Sequence, residues 1–139
     1  MKAERLMLNA KTYAVMRNYT KYDVWIRSHE LVLIVFKDVA PNFPKSQQFE
    51  LSSQMKRAAY SIPLNVVEGC GRNTDKDFCH FLDIALGSAQ ELEYCFLLGK
   101  DLQYISDELY NDLQNRIGEI KAKLINLIKS IRSDGPSAK

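Results

Sequence analysis

The chain has little of what builds stapled, fibrous or irregular folds. Four prolines and six glycines in 139 residues exclude collagen-like and low-complexity architectures. Three cysteines, an odd number at irregular spacing, fit reduced thiols better than a disulfide framework. No apolar run approaches the roughly 20 residues needed to cross a bilayer, so no membrane partner is expected. The first residues, MKAERLMLNAKTYAVM, mix charged with apolar side chains and do not read as a secretory signal; a cytoplasmic address is expected. Charge of one sign is also missing: 19 basic against 17 acidic residues leave +2, which excludes both a disordered polyelectrolyte and a wholly basic footprint. Any nucleic-acid surface must then be a local patch. What is present is 46% apolar content, enough for the core of one domain.

The apolar residues recur at helical spacing in four stretches. Asp23 precedes Trp25, Val32, Val35, Phe36 and Val39, and Pro41 and Pro44 forbid continuation, which predicts the first helix. Ser46 stands as N-cap for a second, through Leu51, Met55, Ala58, Ala59, Ile62, Val66 and Gly69 to the breakers Gly71 and Asn73. Thr74 caps a third, with Asp75 and Asp77 favouring its dipole and a stripe of Phe78, Leu82, Ala85, Ala89, Leu92, Phe96 and Gly99 ending near Leu102. Ser106 caps the fourth, along Leu109, Leu113, Ile117, Ile120, Leu124, Leu127 and Ile131, until Asp134, Gly135 and Pro136. Short connections make antiparallel neighbours the favoured arrangement. The expected fold class is all-α, an antiparallel up-down-up-down four-helix bundle over residues 22 to 132. An N-terminal arm is expected at 1 to 21 and a flexible tail at 133 to 139.

The second helix is unusual. At about 100° per residue, Gln54, Arg57, Ser61, Asn65, Glu68 and Arg72 fall within an arc of about 80° beside the apolar arc of Met55, Ala58, Ile62 and Gly69. Glu68 and Arg72 are at i, i+4 with the acid N-terminal, the favourable orientation. Pro63 lacks an amide hydrogen and leaves the Ala59 carbonyl without its helical partner, so a kink or a side-chain donor is expected there. On the third helix Asp77, Ser88 and Glu91 lie at the edge of the stripe, Gly87 and Ser88 are small enough for close approach, and Glu91 is placed to meet Arg57. A solvated helix face is the plain alternative. Ser, Asn and Gln, in place of the usual Lys and Glu, favour a network of directed hydrogen bonds instead.

The string Arg57-Ala-Ala-Tyr-Ser61-Ile-Pro63-Leu-Asn65-Val-Val-Glu68-Gly69, with Phe78, Phe81-Leu82, Ala85, Gly87-Ser88 and Glu91-Leu92, resembles the four helix bundle protein family, which includes proteins encoded by intervening sequences within bacterial large-subunit ribosomal RNA genes. Trp25 and Phe43-Pro44 match as well, so the resemblance spans roughly residues 22 to 131. It is also similar in fold to the accessory variability determinant of diversity-generating retroelements. The resemblance implies ring-shaped homopentamers of four-helix protomers, and the retroelement relatives imply binding to nucleic acid and to a reverse transcriptase through basic surfaces. Two positions depart from the family pattern: Leu86 stands where an Arg is usual, and Ala89 where a Leu is usual.

Catalytic machinery is not visible. Gly69-Cys70-Gly71-Arg72 lacks the preceding strand and the Gly-Lys-Ser/Thr ending of a phosphate loop, and a helix end accounts for it. Cys70, Cys79, His80 and Cys95 match no compact zinc spacing, His29 and His80 have no Ser or Cys partner at a suggestive position, and no Glu-x-x-His pattern of a di-iron bundle occurs. No metal, cofactor or enzymatic activity is expected. Positive charge gathers towards the ends: residues 1 to 40 hold seven basic against four acidic side chains, and Arg116, Lys121, Lys123, Lys129 and Arg132 line the fourth helix. In an up-down bundle the first and fourth helices are neighbours, so these charges can combine, and an oligomer multiplies the patch. The alternation with Asp112 and Glu119 also suits an ordinary solvated helix.

These readings predict a non-enzymatic oligomeric scaffold that binds RNA, DNA or a nucleic-acid enzyme. Gln54, Arg57, Ser61, Asn65, Glu68, Arg72 and Glu91 form its structural polar network, and Lys121, Lys123, Lys129 and Arg132 meet phosphate. A protein-only adaptor that holds a partner helix is the alternative.

Overall fold

Side chains three and four apart share one face of a helix, and each of the four apolar stripes has become a helix in the computed structural model, which describes residues 16–133. The helices are α1 (Asp23–Ile34), α2 (Leu51–Cys70), α3 (Asp75–Asp101) and α4 (Asp107–Ser133). Expectations for residues 1 to 15 and 134 to 139 lie outside the described residues. Arg17, within the stretch expected as an arm, is tied to the α2–α3 turn: its guanidinium donates to the Arg72 carbonyl at 2.9 Å, pairs with Asp75 and lies 4.3 Å from the centre of the Phe78 ring.

Each helix packs on its neighbours in sequence, and α4 closes against α1. Contact registers run in opposite directions along each seam. Gln54 reaches Glu91, Ser61 reaches Ser88, and Gly69 lies against Phe78, so α2 and α3 are antiparallel. Arg132 to Asp83 and Lys121 to Glu93 give the same sense for α3 and α4, as do Lys123 to Asp23 and Arg27 to Glu119 for α4 and α1. The core between them is aliphatic and aromatic: Leu31, Met55, Ile62, Phe78, Leu92, Phe96, Ile117 and Leu124 are all fully buried. Each such side chain contributes about 1.5–3 kcal/mol through burial. Among the described residues no helix is long and apolar enough to cross a membrane.

Caps and breakers explain the boundaries. The Thr74 hydroxyl accepts from the Asp77 amide at 3.1 Å, and the Ser106 hydroxyl accepts from the Leu109 amide at 3.1 Å. Ser46 is not the cap of α2, which starts at Leu51. Lys45–Gln47 forms a 3-10 turn instead, and the Gln48 side-chain amide folds back onto the carbonyls of Ala40 and Phe43. At the end of α1 the chain passes through a π-helical turn, Val35–Val39, in which the Ala40 amide bonds the Val35 carbonyl. The wider turn keeps Val35 and Val39 on one buried row, and Phe36, expected in the stripe, lies off that row and is 41% exposed.

Two glycines permit close approach, and neither is Gly87. A Cβ on Gly69 would stand 2.9 Å from Phe78 Cδ1 and 3.0 Å from Phe81 Cβ. One on Gly99 would stand 2.7 Å from Ile105 Cδ1 and 3.1 Å from Phe43 Cζ. Gly87, expected at a helix contact, meets nothing within 4 Å.

Candidate interaction surfaces

The polar strip of α2 divides along its length. At its centre Ser61 Oγ and Ser88 Oγ are 2.8 Å apart across the α2–α3 seam, and Asn65 Nδ2 donates to the Ser61 carbonyl at 2.8 Å and to Ser61 Oγ at 3.0 Å. Ser88 is buried, and Ser61 and Asn65 are half-buried. Asn65 is the side-chain donor beside Pro63, yet it serves the Ser61 carbonyl rather than that of Ala59. At the ends the strip is exposed. Gln54 donates to Glu91, so Glu91 meets Gln54 and not Arg57. Arg72 pairs with Glu68 at 2.7 Å and lies 4.6 Å from the centre of the Phe81 ring. Arg57 is exposed, with no ion pair or hydrogen bond from its side chain among the described residues. Helical periodicity placed all six residues on one arc; only the α2–α3 register decides which of them reach the neighbouring helix.

The basic residues of α4 are mostly engaged. Lys121 Nζ lies 3.1 Å from Glu93 and also bonds Gln90, both on α3. Lys123 pairs with Asp23 of α1 and lies 3.9 Å from Glu119. This contact holds the Asp23 carboxyl below its ordinary range, chiefly through the hydrogen bond from Lys123. Arg132 meets Asp83 at 2.8 Å, and Arg116 meets Asp112 at 2.9 Å. Of the four residues expected to meet phosphate, Lys129 alone is exposed without an ion pair among the described residues. The other three join α4 to its neighbours, a role legible only once the α3–α4 and α1–α4 registers are known.

All three thiols are buried and free. Desolvation pushes Cys70 and Cys95 up to about 11 and raises Cys79 as well, so none is a thiolate near neutrality. Among the described residues no group of three His, Cys, Asp or Glu side chains is arranged to hold a metal ion.

The outer surface carries what the sequence reading did not weigh: large apolar side chains outside the core. On α1, its π-helical turn and α2 these include Leu33, Phe36, Tyr60 and Leu64, the last 57% exposed. On α3 they include Ile84, Tyr94 and Leu97, and on α4 Ile125. Apart from Phe36, expected in the first stripe, their signal is present in the sequence as apolar residues that fall off the stripes.

Fold and seam together define an all-helical four-helix bundle whose second and third helices are pinned by short polar side chains. The 23S rRNA-intervening sequence protein family matches residues 20–126, and the chain belongs to that family. A solved structure from Bacteroides thetaiotaomicron, described as a protein with unknown function from the S23 ribosomal protein family, is 32% identical and superposes with a TM-score of 0.70. That likeness covers 76% of this chain and 95% of the other. No curated protein matches the chain.

Proposed function

We propose that the protein is a non-enzymatic scaffold in the cytoplasm: a four-helix protomer that associates with copies of itself, as the pentameric ring of the family resemblance implies, and offers basic surface to nucleic acid or to a nucleic-acid enzyme. The observation that carries self-association is a pair of glycines. Gly87 in α3 and Gly118 in α4 lie inside helices, where glycine costs about 0.5–1 kcal/mol relative to alanine. Neither serves packing in the protomer, since an added Cβ at either meets nothing within 4 Å. Gly87 shares its helix face with Ile84 and Tyr94, and Gly118 shares its face with Ile125, all exposed. A helix surface that is smooth at one rung and apolar at the next suits a second helix at short range. Light scattering on the eluting protein is expected to give a closed oligomer, and Gly87→Leu is expected to shift it to smaller species. A monomer at micromolar concentration overturns the scaffold.

For the nucleic-acid half, binding to mixed RNA or DNA is expected to weaken steeply as salt rises. The ion pairing of Lys121, Lys123 and Arg132 favours the second reading, a protein-only adaptor. Capture from nuclease-treated lysate separates the two, because an RNA-bridged partner is lost and a direct protein partner is kept.

A further inference from the structure

The solvent side of the α1–α2 pair brings rings and unpaired cations together. Along α1 and its π-helical turn, Trp25, His29 and Phe36 recur at helical spacing. The His29 ring lies parallel to that of Trp25, with an interplanar angle of 5° and centroids 5.1 Å apart, and His29 is exposed. Lys56 of α2 crosses to the π-helical turn, its Nζ 5.5 Å from the centre of the Phe36 ring. Tyr60 follows one turn after Lys56 and is 44% exposed. Lys37, Lys56 and Arg57 have no ion pair among the described residues, whereas Lys121, Lys123 and Arg132 of α4 are neutralised at short range.

We propose that this face of α1 and α2 is a binding site for single-stranded nucleic acid, with bases stacking on His29, Phe36 and Tyr60 and phosphates meeting Lys37, Lys56 and Arg57. The inference rests on the nucleic-acid half of the function above and moves its surface from α4 to the opposite side of α1. Stacking requires a base whose face is open, which a single strand supplies and a duplex does not. When cations free of ion pairs neutralise phosphates, the strand sheds the counterions condensed on it, so these side chains drive binding that ion-paired lysines cannot. Charge complementarity selects a polyanion over a second copy of this chain docked symmetrically on the same face, since that arrangement sets Lys37, Lys56 and Arg57 against themselves.

The test is fluorescence anisotropy on the full chain with labelled oligo-U RNA and oligo-dT DNA of about 16 nucleotides, the upper end of common site sizes. Both oligomers are expected to bind, because the rings do not read the sugar, and the matching duplex to bind more weakly. K37Q/K56Q/R57Q is expected to flatten the slope of log affinity against log salt by about 2, at about 0.7 per phosphate on a single strand. H29A/Y60A is expected to weaken binding roughly tenfold or more with the slope unchanged. Circular dichroism checks that each variant is folded, and R57Q and Y60A alone, at exposed positions, serve in its place if a multiple variant is not. Retention of binding by both variants with loss in K129Q/R132Q overturns the inference and leaves the nucleic-acid function standing. Equal affinity for duplex and single strand overturns it as well. Absence of binding by the unaltered protein at low salt overturns that function and the inference together.

Discussion

Ser61 and Ser88 meet at 2.8 Å between α2 and α3, two hydroxyls at the centre of a seam whose outer end is bridged by Gln54 and Glu91. Each can donate or accept, and Asn65 supplies a further donor, so the group is satisfied without a charge. Small hydroxyls let the helices approach while fixing their relative height, because a slip by one turn would strand Ser88 among apolar side chains.

Ser88→Ala is therefore expected to lower stability by roughly 0.5–1 kcal/mol, the net worth of one neutral hydrogen bond less the gain in helix propensity. Urea unfolding of the two single variants and of S61A/S88A measures the coupling directly. Additive losses would show that the hydroxyls act separately and that the seam is held by packing alone.

The glycines divide in the same experiment. Gly69→Ala is expected to destabilise by about 1–3 kcal/mol, since the new methyl meets Phe81 Cβ, which cannot swing away, at 3.0 Å. Gly87→Ala is expected to stabilise the isolated protomer by up to about 1 kcal/mol through helix propensity. Thermal melting at low protein concentration reads both signs, and destabilisation by Gly87→Ala would show that this position is already packed.

Gln103 closes α3 in the left-handed region, with φ 66°. It lies in the turn where the amides of Tyr104 and Ile105 both bond the Gly99 carbonyl, at 2.8 and 3.2 Å. Glycine adopts that conformation freely, so Gln103→Gly is expected to raise stability by about 1 kcal/mol. A loss of stability in chemical denaturation would mean that the glutamine side chain holds the turn.

How far the fold can be read from sequence depends on the range of the interaction concerned. Thr74 and Ser106 cap helices through bonds to residues three further along, so their role is visible locally. The stripe of α3 is legible because one face stays buried over its whole length. Ser46 misleads because Gln48 reaches back to Ala40 and Phe43 and commits the segment to a turn before α2 begins. Phe36 misleads because at about 100° per residue it falls about 120° from Val24, on the flank of the buried row Val24, Ser28, Leu31 and Val35. Lys121 and Lys123 look like a basic face until α3 and α1 bring carboxylates to them, and no spacing within α4 encodes that. The strip on α2 is legible as an arc, but its partition into a packed centre and wet ends is set by α3.

The thiols give a pH dependence whose sign follows from burial. Cys70 and Cys95 titrate at about 11 when folded, above the 9.0 of an open thiol, so the folded state favours the proton more than the unfolded state does. Their contribution is fully present below pH 9.0 and is lost as pH rises to about 11. Stability in urea is expected to decline across that window, and less so in C70A/C95A. At neutral pH the thiols are expected to react with an aromatic disulfide reagent only as fast as the protein opens; immediate reaction of the folded protein would show that they are accessible.

The parallel stack of Trp25 on His29 has one further consequence. The chain has a single tryptophan, so emission excited beyond the absorption of its seven tyrosines comes from one known place, beside His29 on α1. Any flat molecule settling over the same flank changes the surroundings of the indole and so shifts the colour of its emission. The unlabelled protein thus carries its own optical gauge, one that reads the occupancy of that flank in a single cuvette.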